Sequence, residues 1–413
     1  MSFARQAFLK TLEGLPHGSL ELICSDRTYR FGKSDAEPRA QITVHREEFF
    51  KQAVFGGDDG IGDSYVDGDW SSPSVVEVIR LGIRNLDYLE STNALLSKIN
   101  RLIFRLRHLK RANTIEGSKK NIQEHYDLSN DFFRLFLDQN MMYSSAIYVE
   151  PDDTLEVAQM EKVDRICRKL RLGPQYHILE IGMGWGTFAI HAAQNYGCRV
   201  TTTTISKEQH ALAKQRFAGD PRITLVMEDY RKLTGSFDKI VSIEMFEAVG
   251  LEFYDAFFGA CDRLLKPGGA MLMQAITMNE RRFDTYRKGS DWIQRRIFPG
   301  SQLASMREVL ASLARATKME LFHAEDIGMH YAETLAEWRR RFHATFEEAR
   351  KLGFDDRFRR LWDYYLAFCE GAFRERHIGD MQLIFAKAGA APALYGEPWS
   401  ATPTARSFSA VVS

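Results

Sequence analysis

From His177 to Ala189 an apolar run breaks into alternating glycines and then resumes with a helical pattern: His177-Ile-Leu-Glu-Ile-Gly-Met-Gly-Trp-Gly-Thr-Phe-Ala189. Gly182, Gly184 and Gly186 permit a tight turn and a close backbone approach to a ligand, with the N–H groups of the following helix turned toward it. Nicotinamide sites space their glycines G-x-G-x-x-G, whereas this segment reads G-x-G-x-G with Glu180 two residues ahead. That spacing favours S-adenosylmethionine. Taken alone the run could also be a simple turn, so its neighbours matter. The next apolar segment ends in Thr201-Thr-Thr-Thr-Ile-Ser-Lys-Glu-Gln209, hydroxyls and an amide suited to a sugar. A third ends in Val226-Met-Glu-Asp-Tyr230, two acids at the place where such folds hold an adenine.

A second group of reactive side chains is the acid pair Glu244 and Glu247, three residues apart and expected on one helical face. Like-charge repulsion between them would raise the proton affinity of Glu247. The competing reading is a capping or ion-paired acid. Aromatics are frequent in the same half of the chain (Phe246, Tyr254, Phe283, Tyr286, Trp292, Phe298) and could line an apolar pocket, although most such rings are ordinary core.

The elements that must carry these residues alternate. Apolar runs at Tyr176 to Ile181, Arg199 to Ile205, Ile223 to Met227, Lys239 to Ile243 and Ala270 to Ile276 are separated by helix-length stretches, the pattern of an α/β, doubly wound parallel sheet. Residues 1–95 read instead as a small α+β domain, with strand-like runs at Ser19 to Cys24 and Arg39 to His45, broken at Gly56-Gly-Asp-Asp-Gly60. Between these parts lie a basic amphipathic helix and linker over 96–120. From Leu95 to Arg111 apolar residues recur at Leu95, Ile99, Leu102, Leu106 and Leu109, among Lys98, Arg101, Arg105, Arg107, Lys110 and Arg111. The helix fits either an anionic membrane surface or the protein's own core. A tail rich in Ala, Pro, Ser and Thr closes the chain over 390–413.

Composition narrows the partners. Lys plus Arg and Asp plus Glu both number 55 in 413 residues, so no global charge draws the chain to nucleic acid. Five scattered cysteines without a C-x-x-C pair argue against zinc and a disulfide framework, and point to a reducing, cytoplasmic setting. Neither a signal-peptide pattern nor an eighteen-residue apolar run is present.

Several blocks together resemble the cyclopropane fatty acid and mycolic acid cyclopropane synthase family: Gln123-Glu-His-Tyr-Asp-Leu-Ser-Asn130, Met142-Tyr-Ser-Ser-Ala146, Gly182 to Gly186, Thr204 to Gln209, Val241 to Gly250, Ile297-Phe-Pro-Gly300 and Gly371-Ala-Phe-Arg374. The resemblance runs from about residue 121 to 388, and the amino-terminal part looks like that of phospholipid-acting bacterial members. It implies a class I S-adenosylmethionine-dependent methyltransferase over 121–389 with an acyl-chain pocket. Tyr143 and Ser144 would hold the methionine part of the cofactor, with Glu180, Gly182, Gly184 and Trp185 around it. Thr204, Ile205 and Gln209 would take the ribose, Glu228 would lie by the adenine, and Ile243 would close the adenosine side. No metal is implied.

In the resembled family a sulfonium methyl is attacked by a cis double bond, and the proton is removed by a bicarbonate held by Cys, Glu, His, Tyr and a backbone group. Carried over, these positions are Ser145, Glu247, Gln274, Tyr331 and Ile276. Two depart from the pattern: Ser145 stands for the thiol and Gln274 for the imidazole, an amide that cannot titrate near neutrality. Ala248 also stands where the pattern has His. The implied reaction is cyclopropane formation on an unsaturated acyl chain of a membrane phospholipid, by a homodimer at the inner face of the membrane that contacts it through the basic helix and amino-terminal domain. Three alternatives are a methyl-branched unsaturated chain, small-molecule N-methylation, and a non-catalytic lipid-binding module.

Overall fold

The computed structural model describes residues 1–92 and 128–390. The stretch Leu95–Arg111 expected as a basic helix, the linker expected after it, Gln123 to Asp127 of the first family block and the residues beyond Ala390 lie outside the described residues. The described residues fall into two compact units, bounded as Met1–Arg111 with Arg281–Pro299 and Leu335–Ile378, and as Ala112–Glu280 with Gly300–Thr334 and Gly379–Ser413.

In the first unit, β1 (Ser19–Ile23), β2 (Thr28–Gly32), β3 (Arg39–Val44) and β4 (Trp70–Ser71) form a sheet in the order β2-β1-β3-β4. Phe49, Phe50 and Trp70 are fully buried in its core. The cluster Gly56 to Gly60, read from sequence as a break, instead joins the helix Glu48–Phe55 to the helix Gly57–Val66. Gly56 caps the first helix, and a Cβ at Gly60 would lie 2.0 Å from the Gln52 carbonyl oxygen, so Gly60 permits close contact between the two successive helices. The later helix Asp356–Arg374 belongs to the same unit. Within it Asp363 accepts from the Tyr65 hydroxyl at 2.5 Å, Arg339 Nε at 2.6 Å and His343 Nε2 at 2.6 Å.

The second unit is the α/β unit expected from the alternating pattern. β5 (His177–Ile181), β6 (Arg199–Thr203), β7 (Ile223–Val226), β8 (Phe237–Ile243), β9 (Leu265–Met278), β10 (Met319–Asp326) and β11 (Ile378–Lys387) form one sheet in the order β10-β11-β9-β8-β5-β6-β7. The stretch from β9 to β7 pairs in parallel, and β10 pairs antiparallel with β11. All five apolar runs named from sequence are strands here. β5 is central, and its last four residues are buried, as a strand covered on both faces must be. The chain order reverses around β5, which places the ends of β5, β6 and β8 at the switch point where such sheets bind ligands.

Candidate active site

β5 runs directly into the glycine turn. Gly182, Gly184 and Gly186 all have positive φ, at 85°, 55° and 90°. A Cβ on Gly182 would sit 2.7 Å from the Met245 side chain, whereas one on Gly184 would meet no described residue within 4 Å. Backbone at Gly184 therefore stands open to a ligand. Gly186 caps the helix Thr187–Tyr196. Trp185 donates from Nε1 to Asn130 Oδ1 at 2.8 Å, and its ring packs with Phe133, which also packs on Tyr143.

On β6 the hydroxyl-rich end is ordered as a polar shelf. The Thr204 hydroxyl donates to Gln209 Oε1 at 2.8 Å, and Ser206 caps the helix Lys207–Arg216 at the Gln209 N–H. Ile205, between them, is half-buried. The Thr203 hydroxyl reaches the Glu228 carbonyl at 2.5 Å and so ties this shelf to the segment after β7. Glu180 is buried on β5 and accepts from the Thr202 hydroxyl at 2.5 Å. Burial lifts its carboxyl to about 8, against that hydrogen bond. Ile243 ends β8 beside β9 Gln274.

Tyr143 and Ser144 follow a turn set by Asp138, whose carboxylate accepts from the Asn140 and Met142 N–H groups at 2.9 and 2.7 Å. The Ser144 hydroxyl accepts from Lys162 Nζ at 2.5 Å. Lys162 is fully buried in the helix Leu155–Lys169, and burial draws its ammonium down to about 8 while Glu244, Asp138 and Asp380 oppose the fall.

The expected catalytic positions converge, but on an acid that the sequence reading treated only as a neighbour. Glu244 Oε1 accepts from the Ser145 N–H at 2.8 Å and from Gln274 Nε2 at 2.7 Å, and Oε2 accepts from the Tyr331 hydroxyl at 2.7 Å. Glu244 does not share a helical face with Glu247. It leaves β8 at φ 46°, in the left-handed region, and Phe246–Ala248 that follows is one short 3-10 turn. A non-glycine residue held there costs on the order of 1 kcal/mol or more, and such conformations cluster at functional sites. Repulsion between the two acids holds all the same. Burial first, and Glu244 second, push the Glu247 carboxyl up to about 8. Glu247 Oε1 accepts from the Ile276 N–H at 2.5 Å, and Oε2 is buried without a partner among the described residues.

Around this acid the second rank of side chains is fixed. Gln274 Nε2 also donates to Asp380 Oδ2 at 3.1 Å, while its Oε1 accepts from Gln382 Nε2 at 3.0 Å and Gln382 Oε1 accepts from Lys169 Nζ at 2.7 Å. This chain turns the Gln274 amide so that its N–H groups face the carboxyls. The Ser145 hydroxyl turns away, donating to the Ala146 carbonyl at 3.0 Å. The donor set therefore does not fit a separate bicarbonate: the Gln274 amide and the Tyr331 hydroxyl that would hold it are already on Glu244. Lys162, Asp138, Asp380 and Gln382 were not foreseen. Only the Glu-x-x-Glu spacing hinted at Glu244.

The aromatics divide. Phe246 and Tyr254 pack in the core of the α/β unit with Phe257 and Phe258, whereas Trp292 packs on Tyr364 and Phe298 on Tyr365 in the first unit. Among the described residues no group of three or more His, Cys, Asp or Glu could hold a metal.

A mostly parallel sheet with a glycine turn after β5 and a polar shelf on the next strand is the architecture of a class I S-adenosylmethionine-dependent methyltransferase. A model of the mycolic acid cyclopropane synthetase family matches residues 114–383, and the chain belongs to that family. It is 34% identical over 400 residues to a tuberculostearic acid methyltransferase of Mycobacterium tuberculosis, covering 94% of this chain and 92% of that one. It is 38% identical over 354 residues to the cyclopropane-fatty-acyl-phospholipid synthase of Escherichia coli, covering 84% and 88%. The solved mycolic acid cyclopropane synthase CmaA1 complexed with SAH and CTAB superposes at TM-score 0.60 with 33% identity, over 65% of this chain and 98% of its own. The chain is thus an S-adenosylmethionine-dependent C-methyltransferase.

Proposed function

We propose that this enzyme transfers the sulfonium methyl of S-adenosylmethionine to the cis double bond of an unsaturated acyl chain in a membrane phospholipid, and that ring closure gives a cyclopropane fatty acid. The observation that carries this reading is the buried cluster of Glu244, Glu247, Gln274 and Tyr331 beside the glycine turn. A reaction that makes a carbocation and must then remove a proton needs a dry, anionic site, because water would capture the cation. In this reading Tyr143, Ser144, Gly182, Gly184 and Trp185 bind the methionine end, Thr204, Ile205 and Gln209 the ribose, and Glu228 and Ile243 the adenine side. The bound cofactor supplies the electrophilic methyl; the residues orient it, exclude water and accept a proton.

A second product has an observation in its favour. Proton loss from a neighbouring chain carbon leaves a methyl-branched alkene. Similarity to a tuberculostearic acid methyltransferase over nearly the whole chain, together with Gln274 and Ala248 at histidine positions, favours it. We place the enzyme at the inner face of the membrane, where Lys and Arg between Lys98 and Lys120 would meet anionic lipid at about 1 kcal/mol each. Among the described residues no helix is long and apolar enough to cross a membrane.

Expression in a bacterial host lacking its own cyclopropane synthase tests the reading. New acyl chains heavier by a methylene are expected, and proton NMR then separates ring protons from an olefinic methyl branch. Unchanged lipids would contradict the proposal.

A further inference from the structure

We propose that the carboxylate of Glu244 is the proton acceptor of the reaction, built into the chain in place of a free anion. The proposal rests on the reading of the enzyme as an alkene C-methyltransferase and names the base within that site.

Three donors from three parts of the fold end on this one side chain: the Ser145 N–H, the Gln274 amide and the Tyr331 hydroxyl. None of them offers Glu244 an acceptor, so they stabilise it as an anion. The charges facing it are the Lys162 ammonium, Asp380 and Glu247. Lys162 favours the anion, while burial first and the neighbouring carboxyls second raise the proton affinity of Asp380 and Glu247. Of the three clustered carboxyl groups, Glu244 is the one on which the three donors converge, so it is the one built to carry negative charge. Burial also raises the proton affinity of Glu244 itself, as a base requires. Its left-handed backbone at φ 46° aims the side chain across the end of β8 into the donors. Those donors include two of the positions, 274 and 331, that the family resemblance gives to a bound anion, and a third, 145, through its backbone. The carboxylate occupies the donors an external base would use.

The step balances. The C–S bond breaks and its electron pair stays on sulfur, while the alkene π pair forms the new C–C bond and leaves a cation on the adjacent carbon. Glu244 takes a proton from the added methyl, and that C–H pair closes the ring; loss from the adjacent chain carbon would form the alkene instead. The cofactor's positive charge and the carboxylate's negative charge cancel, leaving the neutral thioether, the product and a neutral acid.

The test uses the full chain, S-adenosylmethionine and vesicles of unsaturated phosphatidylglycerol, in carbon-dioxide-free buffer with and without added bicarbonate. Wild-type turnover is expected to be indifferent to bicarbonate. Glu244→Gln should lose on the order of 10²-fold or more, the usual worth of a positioned base, with cofactor affinity by calorimetry near wild type. Glu244→Gly, which suits the left-handed backbone and vacates the carboxylate, should be as slow but regain turnover when bicarbonate is added. Wild-type dependence on bicarbonate, or an undiminished Glu244→Gln, would overturn the proposal. A readout without turnover separates this from failure of the proposed substrate: the infrared difference between wild type and Glu244→Gln at neutral pH should show loss of an ionised carboxylate, and loss of a protonated acid instead would refute the assignment even if the vesicles prove not to be the substrate.

Discussion

Glu247 Oε1 accepts from the Ile276 N–H, and among the described residues its second oxygen is buried without a partner. Such an atom costs about 1–3 kcal/mol unless something in the working complex meets it, which fits the proposed role of Glu247 in the reaction. Glu247→Ala should leave cofactor affinity near normal and lower kcat by on the order of 10²-fold or more, as read by calorimetry and single-turnover assays. Unchanged kcat would remove Glu247 from the site. At this scale the sequence was partly legible. Gln274 and Ser145 could be seen to depart from the family pattern because the motif around each survives. What replaced their function could not be seen, since Glu244, Asp380 and Lys162 lie far apart in the chain and only β8, β11 and the helix Leu155–Lys169 bring them together. Glu244 was placed on a helix because i and i+3 acids suit one, but its left-handed φ breaks that geometry before the first turn.

Elements position these residues through close approaches that tolerate little. Met245, one residue past the strained Glu244, lies where a Gly182 Cβ would fall, at 2.7 Å. Gly182→Ala should therefore weaken cofactor binding and lower stability by about 1–3 kcal/mol, measured by calorimetry and urea unfolding, because both the positive φ and the contact oppose it. The five parallel strands were readable as largely apolar runs, since a sheet covered on both faces demands them, whereas β10, half-exposed at the edge, and β11 were not. The glycine-rich junction at Gly56 was not, because helix contact and chain breaking call for the same residue. In the first unit, Asp363 gives an element-scale pH effect. Burial would raise its carboxyl, but the His343 hydrogen bond, the Arg339 charge and the Tyr65 hydroxyl outweigh it and bring it down to about 2, from 3.8. A depressed folded value contributes stability above the unfolded value near 3.8 and loses it as pH falls through about 2. Asp363→Asn should cost about 2 kcal/mol at pH 7 and flatten the acid limb of the urea midpoint against pH. A steep limb retained in the variant would contradict this.

For the whole molecule, the two units divide the sequence differently from its apparent order. Arg281–Pro299 and Leu335–Ile378 cluster with the amino-terminal part although they lie within the stretch that resembles the family. Local pattern could not reveal this, because which unit a helix joins depends on where its buried face finds a partner; the close approach of Gly371 to Ile79 is one such place. The amino-terminal unit thereby includes chain from within the family region, so truncation at residue 95 should expose the buried face of Asp356–Arg374 and yield insoluble protein in a simple expression trial. Soluble, folded protein from that truncation would show the units to be independent. The central claim concerns what receives the methyl group. Incubating the enzyme with S-adenosylmethionine labelled in its methyl carbon, and with vesicles of unsaturated or fully saturated phospholipid, measures it directly. Label entering the acyl chains of the unsaturated vesicles, and none in the saturated ones that lack a π pair to attack, is the predicted result; label absent from both, or found instead on a soluble amine, would contradict it.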